Sequence, residues 1–147
     1  IEELPRKGTV RVTTQVVADA RPIQTVAVID EGGVDCHRKS SETWAAEIAT
    51  ALLGQYAVVD RSNVDDLLKE QRTSMEVTFD ASELVEAGRL VGAEGLVFVK
   101  AGCTAGRDVV DVKMTDTTLG TLCWSMHGEN ADASILVKRL EAARQSP

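Results

Sequence analysis

Polar and apolar positions alternate near the start of the chain: Val10, Val12, Thr14 and Val16 are separated by Arg11, Thr13 and Gln15. Period two marks a half-buried strand, because successive side chains point to opposite faces of a sheet. After a break at Asp19-Ala-Arg-Pro22, the run Thr25-Val-Ala-Val-Ile29 is continuously apolar, as in a strand covered on both faces. Helical spacing follows. Trp44, Ile48 and Leu52 recur at i, i+4 and i+8 with Ala45 and Ala49 beside them, behind a capping Ser40 or Ser41. Gly54 is expected to stop this helix in the left-handed conformation, and Tyr56-Ala-Val-Val59 reads as the next strand.

Two further helices are expected from start signals, Ser62-x-x-Asp65 and Asp80-x-x-Glu83. Val64, Leu67 and Leu68 follow the first; Leu84, Ala87, Gly88 and Val91 follow the second, which Gly92 ends. Leu96 to Val99 is a second fully apolar strand. From Val109 the pattern becomes clean alternation. Val110, Val112 and Met114 face one way and Asp111, Lys113 and Thr115 the other. Leu122, Trp124 and Met126 then oppose Thr121, Cys123 and Ser125. Asp116-Thr-Thr-Leu-Gly120 reads as a type I turn closed by a left-handed glycine, which makes this an antiparallel hairpin. A last helix runs from about Asn130, with Ile135, Leu136, Arg139, Leu140 and Ala143 along one side. The expected fold class is α/β: a mixed sheet of five to six strands, with a parallel βαβ part and a C-terminal antiparallel hairpin, and helices packed on it. Residues 1–8 read as an exposed arm and 9–147 as a single domain.

Composition narrows this reading. A chain of 147 residues can bury a core of ordinary size. With two Trp, one Tyr and two Phe, that core has to be built from Val, Leu, Ile and Ala. The net charge is −7 and no Lys/Arg cluster stands out, so nucleic acid and anionic membrane surfaces are poor partners. The cysteines, Cys36, Cys103 and Cys123, lack the Cys-x-x-Cys spacing of zinc sites. They fit three buried thiols, or one bridge plus one free thiol.

The segments 26–30 (Val-Ala-Val-Ile-Asp), 58–71 (Val-Val-Asp-Arg-Ser-Asn-Val-Asp-Asp-Leu-Leu-Lys-Glu-Gln), 88–94 (Gly-Arg-Leu-Val-Gly-Ala-Glu) and 110–120 together resemble the family of the curli assembly and transport component CsgG. Related folds occur in the amino-terminal domain of TolB and in LpoB-type activators of penicillin-binding proteins. The chain departs from the family pattern at Gly95, where an aromatic commonly follows Gly-Ala-acid. It also lacks long hairpins, whereas membrane-spanning strands need about 9–11 residues each. The resemblance thus implies a periplasmic domain, anchored at the outer membrane only through a lipid outside this chain, and not a pore. It implies binding to envelope proteins, including further copies of itself, with no cofactor and no catalysis.

Several residues invite a sharper chemistry. Asp30, Glu31 and Asp60 sit at the carboxyl ends of strands, where α/β sheets bind ligands, and three carboxylates there could hold Mg²⁺ as in receiver-like signalling domains. Their simpler role is in turns and at a helix start. Gly32-Gly33 precedes a helix but lacks a phosphate-loop motif, so a turn is expected there. Cys36 with His37, or His127 at the hairpin end, would need an orienting third group for catalysis. Cys36 and Cys103 both follow strand ends and could be bridged if their Cα atoms come within about 7 Å; three reduced thiols are the alternative. Trp44 belongs to the core. Trp124 and Met126 either cover the sheet or meet another subunit, and with Glu31 and Asp60 they form the candidate partner surface. The hairpin is expected at the sheet edge, where it would invite strand addition.

Overall fold

A computed structural model of the chain describes residues 10–18, 20, 22–33, 40–59, 92–104 and 106–145. The expected arm at 1–8 and the two helices expected between 62 and 91 lie outside the described residues. Among the described residues there are six strands and two helices: β1 (Arg11–Val16), β2 (Thr25–Gly33), α1 (Ser41–Leu52), β3 (Ala57–Val58), β4 (Gly95–Thr104), β5 (Arg107–Asp116), β6 (Leu122–Glu129) and α2 (Ala133–Gln145). They form one mixed sheet in the order β1-β6-β5-β4-β2-β3. The β1, β6, β5 and β4 strands pair antiparallel, while β2 pairs parallel with both β4 and β3.

The apolar run in β2 is buried on both faces. Val26 and Val28 enter the main core, whereas Ala27 and Ile29 join Ala93, Leu96 and Phe98 in a second cluster. In β5 the alternation holds: Val110, Val112 and Met114 are buried, and Asp111 and Lys113 are exposed. Both helices lie over the main cluster, α1 against β2 and β4, α2 against β1 and β6, and they touch each other. Trp44, Ile48 and Leu52 of α1 meet Leu136, Val137 and Leu140 of α2 in this core.

The hairpin β5–β6 is interior and not the edge. β1 covers it, pairing Arg11 to Val16 with Glu129 to Trp124. The eight residues between β1 and β2 carry the chain across three strands, β6, β5 and β4, which leaves β1 on the far side. At the opposite edge stands the two-residue β3.

Other differences have local causes. Met114 faces Trp124 while Thr115 faces Leu122, so Cys123 is an extra residue in β6. Such a bulge sends consecutive side chains to the same side. Cys123 therefore joins Trp124 in the core, and Leu122 is exposed. Strand β2 runs on through Glu31-Gly-Gly33, with an irregular register between Asp30 and Gly33 where a turn was expected. Gly54 has no positive φ; α1 closes through Tyr56 N–H to the Leu52 carbonyl at 2.9 Å and an αR Leu53. At the other end Ser40 caps the helix, accepting from Thr43 N–H at 3.1 Å. Helix α2 begins at Ala133, later than Asn130, because Asp132 supplies its cap: Asp132 Oδ1 accepts from Ile135 N–H at 2.8 Å. Asn130 instead adopts φ 54° and links to Asp108 through two hydrogen bonds.

Candidate functional site

The Gly92-Ala-Glu94 segment ties three strands together. Gly92 takes φ 82°, which a side chain would resist. Glu94 Oε1 then accepts from Gln24 and Thr25 N–H at 3.0 and 3.2 Å, fixing the start of β2. On the other side, the buried Thr117 hydroxyl lies 2.9 Å from the Ala93 and Glu94 carbonyls, and Thr117 N–H donates to Glu94. Asp116 Oδ1 accepts from Thr118 and Leu119 N–H, closing the turn that ends at a left-handed Gly120. A Cβ at Gly95 would lie 3.0 Å from Ile23 and 3.1 Å from the Met114 sulfur. Those two side chains occupy the space that an aromatic would take. This motif is a structural clamp.

Two of the concave surfaces formed by the described residues lie on opposite sides of the sheet. One lies on the polar face of the antiparallel strands, with a volume of about 470 Å³, lined by Glu31, Lys100, Asp111, Lys113, Ser125 and His127 among others. Cross-strand register places Thr13, His127, Asp111 and Lys100 in one row. His127 Nδ1 lies 2.7 Å from Asp111 Oδ1, and Lys113 Nζ sits 5.6 Å from the Phe98 ring centre. With side chains 43% and 63% exposed, the His127–Asp111 pair is solvated and contributes little stability. Ser125 and His127 share this face, and no hydrogen bond joins them.

The other surface is a groove of about 950 Å³ between α1 and α2. Its walls are small side chains, Thr43, Ala46, Thr50 and Ala51 from α1 and Ala133 and Val137 from α2. Glu42, Glu47, Asp132 and Glu141 make the lining acidic, and among the described lining residues Lys138 is the one base.

Of the residues singled out in the sequence, the described ones are not gathered into one site. Trp124 and Met126, each 2% exposed, cover the sheet beneath the helices instead of standing out as a patch. Trp44 is buried beside them. Glu31 is exposed on the rim of the sheet-face cavity, and Asp30 is half-buried on the same strand. Asp60, Cys36 and His37 lie outside the described residues. Cys103, exposed near the end of β4, is held in a disulfide, and Cys123 is a buried thiol outside any disulfide. Among the described residues no three His, Cys, Asp or Glu side chains converge as a metal site would require. The helix groove went unread because its floor carries no chemistry-bearing residues; the sheet-face row was readable only once the strand register was known.

No protein-family model matches the chain, and no curated protein sequence does. Solved structures do. The LpoB C-terminal domain from Escherichia coli superimposes with a TM-score of 0.63 at 13% identity, over 79% of this chain and 88% of that one. The PelC dodecamer from Paraburkholderia phytofirmans gives 0.54 at 14% identity, over 95% and 99%. A lipoprotein from Neisseria meningitidis gives 0.50 at 15% identity, over 82% and 93%. Identities this low establish a shared fold. They favour the LpoB-like part of the resemblance and give the curli-channel part no support.

Proposed function

We propose that this chain is an LpoB-like domain of the bacterial cell envelope that works by binding another protein, without chemistry of its own. The observation that carries the reading is the likeness to the LpoB C-terminal domain, which spans 88% of that domain with all described elements in one sheet-and-helix unit. The disulfide at Cys103 supports an oxidising compartment such as the periplasm. On this reading the domain belongs to a lipoprotein of the outer membrane, and its partner is a peptidoglycan synthase that it activates. The groove between α1 and α2 is the docking surface. Its concave, acidic lining suits a basic element of the partner.

Binding of the purified chain to a peptidoglycan synthase from the same source, measured by biolayer interferometry, tests the reading. Saturable binding is expected, weakened about tenfold or more by the double charge reversal Glu42→Lys and Glu141→Lys. Absence of binding, or binding that the reversal leaves unchanged, would remove the partner or the surface respectively.

Self-association is a second reading, favoured by the PelC dodecamer, whose subunit fold covers 95% of this chain. Light scattering behind size exclusion distinguishes a ring from a monomer.

A further inference from the structure

A smaller pocket, of about 280 Å³, opens where β1 ends, on the helix-covered side of the sheet. Val16, Ile23, Met114 and Trp124 give it apolar walls, and Tyr56 and Arg144 form its polar end. We propose that this pocket binds the C-terminal residue of a partner polypeptide, taking an apolar side chain against Trp124 and the terminal carboxylate against Arg144 and Tyr56.

The hydrogen-bond inventory at the polar end is one-sided. Tyr56 Oη accepts from Trp124 Nε1–H at 3.2 Å and from Arg144 at 2.6 Å. A phenol has one proton and two acceptor positions, so both acceptor positions are filled and the O–H proton is left to donate. Arg144 also donates to Gln55 Oε1 at 3.0 Å, and its guanidinium lies 5.2 Å from the Tyr56 ring centre. Both hydrogen-bond partners of Arg144 are neutral oxygens, and no carboxylate meets it among the described residues. Donors and a positive charge thus gather around Tyr56, itself 5% exposed, with no anion among the described residues to receive them. A carboxylate is the group that accepts several such donors at once.

Size and position select a chain terminus. The volume lies just below the range of pockets for drug-sized ligands, about 300–1,000 Å³, and suits a single side-chain anchor. Val16 and Val17 both line the pocket, and β1 is the edge of the sheet. A partner strand added alongside β1 in the same direction would deliver its last residue there. This contact is separate from the helix groove and does not depend on the identity of the partner enzyme.

The test uses an acetylated pentapeptide ending in leucine, as the free acid and as the amide, titrated into the ¹⁵N-labelled chain. Expected is a saturable shift of the Trp124 indole resonance with the acid, and affinity for the amide about tenfold lower. Arg144→Gln should abolish the difference between acid and amide. Ala20→Trp, at an exposed wall position, should block both peptides. A dispersed spectrum for each variant shows that it is folded. Equal binding of acid and amide, a preference that survives Arg144→Gln, or no Trp124 shift at several millimolar peptide would overturn the proposal. Butyrate binding as tightly as the peptide would overturn the polypeptide part and leave a small-carboxylate site in its place.

Discussion

Glu94 shows how one side chain can decide the path of two strands. Its carboxylate takes two backbone N–H groups at the start of β2, while its own main chain receives Thr117 from the β5–β6 turn. Glu94→Ala leaves those amides without their acceptor and should cost about 1–3 kcal/mol, read from urea unfolding. Glu94→Gln keeps an acceptor oxygen and should recover most of the loss; equal damage from both variants would contradict the clamp. Gly128 has a different reason to be glycine. A Cβ there would come within 2.7 Å of Leu136 Cδ2, in the buried contact between β6 and α2. Gly128→Val should therefore lower stability by about 1–3 kcal/mol through overpacking, and Leu136→Ala in the same chain should relieve part of the clash. The glycine in Gly-Ala-Glu was readable as a motif in the sequence. The partners that make the motif necessary were not, because they lie about 20 to 70 residues away, at separations the hydrogen bonds themselves define.

Elements were legible wherever one periodicity held from end to end. The stripe Trp44, Ile48, Leu52 and the alternation of β5 both follow from geometry that local sequence encodes. Legibility failed where the pattern changed within an element. β4 begins as a strand buried on both faces and beyond Val99 becomes one-sided, with Ala101 buried and Lys100 exposed. The inserted Cys123 reverses the facing of Leu122, and a bulge leaves no signal when the residues on either side are all compatible with a strand. The start of α2 was placed too early because Asn130 and Asp132 are both good caps. Asp132→Ala should cost about 1 kcal/mol by thermal or urea unfolding. Asn130→Gly should cost less, since glycine tolerates the left-handed φ that Asn130 adopts.

For the whole molecule, the mixed sheet with helices packed on it followed from the order of patterns along the chain. The position of β1 did not. Pairing between the first and sixth strands is a non-local choice, and period two specifies a half-buried strand without naming its neighbour. The same limit applied to the candidate surfaces. Trp124 and Met126 looked like hairpin residues with one face to spare, and the covering helix that buries them is specified far along the chain. The helix groove and the Arg144 pocket exist only through the meeting of α1, α2 and the sheet. On the proposed reading, function at this scale rests on shape and charge: an acidic groove, an open edge and a donor-rich pocket, arranged on a fold shared with the LpoB C-terminal domain.

The most direct measurement is the initial rate of glycan polymerisation by a purified peptidoglycan synthase as this chain is titrated in. The account predicts a rise that saturates with the chain, while the chain alone forms no product. A flat rate across the titration, or turnover by the chain without the synthase, would contradict it.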